Sequence, residues 1–151
     1  MNEINIGVIG LGGRGTCLAT LLCKTEPRIK VKAIFDPVKE QMLEFNKGAG
    51  QNAKLCSDFQ EVLDDREISW VMVMSPNFAH KEQVVASFAA GKNVFAEKPL
   101  ATSIDDCQAI YDAHQKSGKL FATGFVLRYA PMYRKIRELL DSGRFGHLLS
   151  I

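Results

Sequence analysis

Two patterns of apolar and polar positions alternate along this chain. Short apolar runs rich in β-branched residues, the pattern of buried strands, occur at residues 4–9, 30–35, 54–56, 68–74, 93–96 and 119–123. Stretches with apolar residues at helical spacing lie between them, at residues 16–25, 38–47, 59–63, 77–90 and 104–117. This alternation predicts an α/β fold built on a doubly wound parallel sheet, for which we expect the strand order 3-2-1-4-5-6.

Caps and apolar faces can be predicted for several of these helices. The apolar side of the second helix is expected to comprise Met42, Leu43 and Phe45. The apolar side of the fourth is expected to comprise Val84, Val85, Phe88 and Ala89. Gly48 and Gly50 are predicted to end the second helix, Asn77 to cap the fourth and Gly91 to follow its last turn. Trp70 is expected to belong to the core rather than to a stacking platform.

The last residues follow a different pattern. Residues 128–143 carry apolar side chains at helical spacing, and residues 147–151 resemble the start of another strand. We therefore expect residues 1–125 to form one domain. Residues 126–151 would supply a connecting helix and the first strand of a second α/β domain, which makes this sequence the front part of a longer chain.

Composition narrows the class of protein. With 151 residues, 46% of them hydrophobic and 24% charged, the chain suits a globular domain with a sizeable core. A net charge of +2 gives no electrostatic case for nucleic acid or an anionic membrane, and no apolar run is long enough to span one. The four cysteines form no C-x-x-C pair, which favours free thiols in a cytoplasmic protein. Histidines, cysteines and carboxylates show no metal-ligand spacing, and no G-x-S-x-G motif supports serine hydrolysis.

The first apolar run leads into a glycine-rich turn, INIGVIGLGGRG, and then into a helix. Strand, glycine turn and helix in this order are typical of a dinucleotide-binding unit. Gly10 would permit the tight turn, Gly12 would let the backbone approach a pyrophosphate, and Gly15 would let the helix pack on the strand. Gly13 and Arg14 complete the predicted phosphate loop, which the helix N-terminus would support with its free N–H groups.

Asp36 ends the second strand, 21 residues after Gly15, close to the spacing expected for a carboxylate that binds the ribose. Hydrogen bonds from ribose hydroxyls to this carboxylate would be worth about 1.5–3 kcal/mol. A 2′-phosphate at about 4 Å would instead be repelled by roughly 4 kcal/mol in an effective dielectric of 20. NAD is thus expected as the cofactor and NADP is disfavoured, although Arg14 and Lys39 would soften the repulsion. The alternative is a structural turn followed by an aspartate that caps the next helix.

Two further motifs follow strands and should lie at the same edge of the sheet, where ligands of such folds bind. Ser75, Pro76 and Asn77 follow the fourth strand, and Glu97, Lys98 and Pro99 follow the fifth. Lys98 precedes a proline, which restrains its backbone. Partial burial beside a cationic nicotinamide would disfavour its charged form and allow proton exchange with a substrate hydroxyl. The alternative is a surface lysine paired with Glu97, and His80 is predicted either to contact the cofactor or to pack locally.

Taken together, these motifs resemble the Gfo/Idh/MocA oxidoreductases and their N-terminal NAD(P)-binding Rossmann domain. The resemblance covers nearly the whole chain, and its most specific part is Glu97-Lys98-Pro99 within GKNVFAEKPL. It implies hydride transfer between a nicotinamide cofactor and a sugar, cyclitol or related polyol, with Lys98 bonded to the reacting hydroxyl and Pro99 following a cis peptide bond. It also implies that Pro76 and Asn77 line the nicotinamide side of the cleft, and that Arg128 and Tyr129 approach the substrate.

The resemblance further implies that a second domain supplies most of the substrate pocket. This chain alone is therefore expected to bind cofactor but not to turn over, and the whole protein is expected to be a homo-oligomer. Two alternatives stay open: an NAD-dependent glycosidase with transient redox chemistry, and a nucleotide-sensing domain without catalysis. A methyltransferase that binds S-adenosylmethionine is disfavoured because Glu97-Lys98-Pro99 would have no obvious use in it.

Overall fold

Six parallel strands form one sheet in the computed structural model, which describes residues 3–147. Along the chain they are β1 Ile4–Ile9, β2 Ile29–Phe35, β3 Lys54–Leu55, β4 Trp70–Val73, β5 Asn93–Ala96 and β6 Phe121–Thr123. Their order across the sheet, β3-β2-β1-β4-β5-β6, confirms the prediction. The chain therefore changes direction across the sheet between β1 and β4, and this is where a ligand cleft is expected.

Helices cover both faces of this sheet. They are α1 Gly13–Thr25, α2 Lys39–Ala49, α3 Phe59–Asp64, α4 His80–Ala89, α5 Ile104–Ser117 and α6 Pro131–Asp141. Successive strand residues point to opposite faces, so Val71 and Val73 join the core beneath α3, α4 and α5, whereas Met72 joins the core beneath α1 and α2. Gly7 in β1 gives α3 room to pack, because a Cβ there would overlap Val62.

Two residues predicted to be buried in helices are exposed. Leu43 lies on the outer side of α2, whose buried residues are Met42 and Phe45, and Ala89 lies on the outer side of α4, which buries Val84. A helix turns by about 100° per residue, so a residue next to the centre of the apolar face already points well away from it. Both expectations were wrong because they assigned adjacent positions to one narrow face.

The helix ends agree with the sequence at some positions and differ at others. The side chain of Asp58 caps α3, and that of Ser103 caps α5. Asn77 is not the cap of α4: it begins a short 3₁₀ turn, Asn77–Ala79, closed by a bond from the Ala79 amide to the Pro76 carbonyl (2.9 Å). Gly48 lies within α2, which ends instead at the left-handed Gly50.

One face of the sheet is only partly covered in the described part of the chain. Helices α1 and α2 cover β1 to β3, and between α1 and the strands lies an apolar groove of about 410 Å³. We call it the sheet-face groove; it is lined by Ile4, Ile6, Leu18, Leu22, Ile29, Trp70, Met72 and Phe95. Trp70 is only partly buried, so it belongs to the edge of the core rather than to its centre.

The helix predicted within residues 128–143 is present as α6, after a 3₁₀ turn at Val126–Tyr129. Its larger apolar side chains, including Tyr133 and Ile136, are exposed. Of the strand predicted at residues 147–151, all but His147 lies outside the described residues. No helix within residues 3–147 is both long and apolar enough to cross a membrane.

Candidate cofactor site

The glycine loop joins β1 to α1 in a turn that two of its glycines make possible. Gly10 has a φ of 93°, and a Cβ at this position would lie 2.5 Å from the Ser75 amide nitrogen. Gly15 lies against the turn itself, because its Cβ would overlap the Gly10 carbonyl oxygen. These contacts bring the start of α1 and the loop after β4 together at the switch point.

The other two glycines of the loop face open space. No atom lies within 4 Å of a Cβ built on Gly12 or Gly13. Gly12 has a φ of −58°, which any residue can adopt, so the missing side chain matters for space and not for conformation. Within the described residues no side chain caps α1 and no acidic residue lies in its first turn. The N–H groups at this helix end are therefore suited to an anion.

Asp36 is held in place by backbone amides on both of its oxygens. Oδ2 accepts a hydrogen bond from the Leu11 amide (2.7 Å), and Oδ1 accepts one from the Val38 amide (2.9 Å). The residue is 8% exposed and lines a cleft of about 580 Å³ that also contains Gly12 and Pro76. Each carboxylate oxygen retains a lone pair, so Asp36 can accept further donors from a ligand.

The loop after β4 is fixed by two side chains of α4. Ser75 Oγ donates to Gln83 Oε1 (2.5 Å). His80 is 1% exposed and lies 2.9 Å from both the Ser75 and the Pro99 carbonyl oxygens, through Nε2 and Nδ1 respectively. Both ring nitrogens are thus engaged by the backbone, so the predicted cofactor contact of His80 gives way to the alternative, a structural link between two loops.

The Glu97-Lys98-Pro99 loop follows β5 and contains a cis Lys98–Pro99 peptide bond. Glu97 is buried; its Oε1 accepts from Arg14 Nε (2.8 Å) and its Oε2 from the Lys98 amide (2.7 Å). The side chain of Lys98 is exposed, because its loop lies beyond the carboxyl end of β5 at the rim of the sheet, and its burial beside a nicotinamide stays a prediction. The alternative, a surface pair with Glu97, is wrong because the Glu97 carboxylate is bonded to Arg14.

A second cleft, of about 480 Å³, brings the predicted residues after β4 and β5 together. Its lining consists of Arg14, Met74, Ser75, Asn77, His80, Glu97, Lys98 and Val126. Arg14 also lines the cleft that contains Asp36, so it lies where the two clefts meet. The structure therefore places the predicted phosphate loop, ribose acid and lysine along one continuous edge of the sheet.

Pro99 lines neither of these clefts, and the same holds for Arg128 and Tyr129. Both lie exposed in the 3₁₀ turn after β6, and the Arg128 guanidinium is 6.0 Å from the centre of the Phe125 ring. Arg128 lines a separate hollow beside α6. Among residues 3–147, no group of three or more His, Cys, Asp or Glu side chains could hold a metal ion.

Among the cleft residues absent from the predicted set are Gln83 and Phe78. Gln83 is buried and receives the Ser75 hydroxyl, whereas Phe78 is 80% exposed at the mouth of the cleft that contains Asp36. Phe78 could have been predicted from the sequence, because it is an aromatic residue in the loop between β4 and the helix. Gln83 could not, because its hydrogen bond to Ser75 forms only when α4 packs beneath that loop.

Comparison with known proteins places this site in context. A sequence model of the Gfo/Idh/MocA group, described as "Oxidoreductase family, NAD-binding Rossmann fold", matches residues 4–125. The inositol 2-dehydrogenase of Salmonella typhimurium is 32% identical over 149 residues, 98% of this chain and 44% of that protein. The structure of myo-inositol dehydrogenase from Lactobacillus casei in complex with NAD(H) and myo-inositol has a TM-score of 0.90 and 31% identity, over 95% of this chain and 43% of that one.

A further solved structure, scyllo-inositol dehydrogenase from Lactobacillus casei with bound NAD(H) and scyllo-inositol, matches with a TM-score of 0.89 and 29% identity. The match covers 96% of this chain and 43% of that one. The chain thus spans less than half the length of the relatives it matches. The extent of the family match and the identity to these relatives confirm the resemblance seen in the motifs: the chain belongs to the Gfo/Idh/MocA oxidoreductase family and forms its NAD-binding Rossmann fold.

Proposed function

We propose that this chain binds NAD between the glycine loop and Asp36 and presents Lys98 to a cyclitol or related polyol for oxidation or reduction. The observation that carries the proposal is the convergence of these groups at one edge of the sheet, after β1, β2 and β5. The relatives named inositol dehydrogenases support a polyol as the substrate class.

The residues present fit a dinucleotide. The open space at Gly12 and Gly13 and the uncapped start of α1 suit the pyrophosphate, and the fixed Asp36 carboxylate suits the ribose hydroxyls. Pro76 and Asn77 would line the nicotinamide side. Bound NAD supplies the group that accepts or donates the hydride.

Lys98 can exchange the proton that accompanies hydride transfer. When an alcohol carbon is oxidised, the hydroxyl proton must leave the oxygen, and a positioned lysine can hydrogen-bond that oxygen and exchange the proton. The exposed Lys98 side chain extends from a loop that Glu97 and His80 hold to the sheet. We therefore assign Lys98 as the catalytic residue of this chain.

We extend the proposal to the whole protein. Residues 1–125 would form the cofactor domain, and residues 126–151 would lead to a substrate domain, which fits both the greater length of the relatives and the exposed apolar side chains of α6. Arg128 and Tyr129 would then face the substrate. A cytoplasmic homo-oligomer is our proposal for its location and assembly, and the four free cysteines of the described residues fit a reducing compartment.

Calorimetric titration with NADH and NADPH tests the cofactor assignment. NADH should bind more tightly, and Asp36→Ala should weaken NADH by about tenfold or more while affecting NADPH less, because a bond to a charged group is lost. Asp58→Ala is the matched control, since Asp58 also accepts a backbone amide but lies at the start of α3. An unchanged preference ratio in Asp36→Ala would reject the role of Asp36.

The substrate class is tested in the whole protein. NADH should form when NAD is supplied with a cyclitol such as myo-inositol, and Lys98→Met should lower this activity at least 100-fold because the proposed proton-exchanging group is lost, a contribution of roughly 10²–10⁴-fold. Lys81→Met serves as the control, since Lys81 is an exposed lysine of α4. Glycoside cleavage without net NADH would favour the glycosidase alternative, and NADH affinity without any turnover would favour a sensing domain.

A further inference from the structure

One carboxylate joins the glycine loop to the backbone of the catalytic lysine. Glu97 Oε1 accepts from the side chain of Arg14, which lies 83 residues earlier in the chain, in the first turn of α1. Glu97 Oε2 accepts from the amide of Lys98. The two oxygens therefore face two different parts of the site. The bond to the Lys98 amide joins neighbouring residues, whereas the bond to Arg14 depends on the fold.

Glu97 has little freedom to leave this position. Its side chain is 8% exposed. Gly124, directly after β6, lies beside the carboxylate, and a Cβ at that residue would be 2.6 Å from Oε2. The Gly124 amide is bonded to the Ala96 carbonyl (3.0 Å), so this neighbour is itself anchored to β5. A buried carboxylate that accepts one bond from an arginine and one from a backbone amide keeps its orientation.

Arg14 is the exposed partner in this arrangement. Its side chain is 51% exposed, lines both clefts, and uses Nε for the bond to Glu97. A guanidinium has five N–H donors, and the Nη atoms of Arg14 form no bond with residues 3–147. These donors are suited to the oxygens of a phosphate that lies in the glycine loop.

We propose that Glu97 is a positioning residue that couples phosphate binding at the glycine loop to the placement of Lys98. An anion that draws on the Nη donors of Arg14 changes the bond at Glu97 Oε1, and the carboxylate transmits this change to the Lys98 amide through Oε2. The inference rests on the proposed function, because it requires that the ligand of the loop carry a phosphate.

The experiment follows the Lys98 amide by ¹⁵N–¹H spectroscopy and amide hydrogen exchange of the ¹⁵N-lysine-labelled chain, with Lys98→Arg used to assign the signal. In the absence of ligand, Arg14→Met should shift the Lys98 resonance, whereas Arg14→Lys, which keeps a donor for Glu97, should restore most of it. Glu97→Gln, which loses one acceptor oxygen, should also raise the exchange rate of this amide by about tenfold. At saturating ADP-ribose, which has the pyrophosphate of NADH but no nicotinamide next to Lys98, the Lys98 resonance should move in the native chain and stay in place in Glu97→Gln.

Arg137→Met is the matched control, since Arg137 forms an exposed ion pair with Asp141 on α6 and should leave Lys98 unaffected. A merely structural role of Glu97 would shift many resonances, not that of Lys98 selectively.

An unchanged Lys98 signal in Arg14→Met, or a movement with ADP-ribose that persists in Glu97→Gln, overturns the proposal. If NADH does not bind the native chain, the proposed function fails, and the Arg14 variants still decide whether the link exists. Because Arg14 is exposed, its variants keep the test available even if Glu97→Gln does not fold.

Discussion

Helices α1 and α5 start at the same edge of the sheet but differ in how their first N–H groups are satisfied. In α5, Ser103 Oγ accepts from the Asp106 amide (3.1 Å) and donates to the Asp106 carboxylate (2.8 Å), and Asp105 adds a second negative charge to the first turn. In α1 the four corresponding residues are Gly12, Gly13, Arg14 and Gly15, none of which carries a negative charge or a capping side chain. One helix is supplied with anions by its own sequence, and the other is not.

This difference shows which helix end is available to a ligand. A helix N-terminus carries about half a positive charge, which side chains neutralise at most helix starts. An end without such side chains is less favourable for the isolated chain, and it gains most when an external anion binds. The comparison therefore separates residues needed for the fold of α1 from residues needed to leave its end open.

The largest effect is expected at Gly15, which serves the fold. Gly15→Ala should lower the free energy of unfolding by about 3 kcal/mol, because its Cβ would overlap the Gly10 carbonyl. Gly13→Ala is the comparison, since its Cβ meets no atom and alanine favours a helix; it should be neutral or stabilise by up to about 1 kcal/mol. Urea unfolding monitors both, and equal effects would show that the loop tolerates no side chain anywhere.

The next effect concerns ligand binding and is expected at Gly12. Gly12→Asp gives α1 the kind of side chain that α5 already has. NADH should bind about tenfold more weakly or worse, because a carboxylate would stand where the phosphates are proposed to lie. The unfolding free energy should stay the same or rise by about 0.5 kcal/mol, since the helix gains a cap. Undiminished NADH affinity by calorimetry would contradict the proposed phosphate loop.

At the capped helix, α5, a substitution should affect stability alone. Ser103→Ala should destabilise by about 1 kcal/mol, the usual value for a lost N-cap, and leave NADH affinity unchanged. Thr102→Ala is the adjacent control, because Thr102 is exposed and the cap is Ser103. A loss of NADH binding in Ser103→Ala would show that the two helix ends are not independent.

The smallest effect is expected from the charge of Asp105. Asp105→Asn should destabilise by about 0.5 kcal/mol at low ionic strength through its interaction with the helix dipole. The difference should shrink as salt is added, because exposed charges are screened. Urea unfolding at low and high salt measures this, and a salt-independent difference would indicate a specific hydrogen bond instead.

Much of the fold could be predicted because it depends on local signals. Each strand is a short apolar run between polar turns, and the order of the sheet follows from the alternation with helices. The errors arise where one residue of rotation matters, as for Leu43 and Ala89, or where a short 3₁₀ turn precedes the helix, as at Asn77. In these cases packing decides between positions that the pattern leaves nearly equivalent.

The site could be predicted as a set of residues but not as a network. Gly10, Asp36 and Lys98 stand out because each follows a strand in a recognisable motif. The bond from Arg14 to Glu97 has no such signal, since 83 residues separate the partners and only the parallel sheet brings them together. His80 is similar: its spacing shows that it lies near the site, but only its two backbone partners show what it does there.

The sheet-face groove gives this chain a built-in optical probe. Trp70 is the single tryptophan in the sequence, and it lines that groove rather than the clefts at the carboxyl edge. The emission wavelength of an indole depends on whether water or apolar atoms surround it. Tryptophan fluorescence of the native chain therefore monitors one chosen face of the sheet, without any dye or label, and any molecule that covers this face should shift the emission to shorter wavelength.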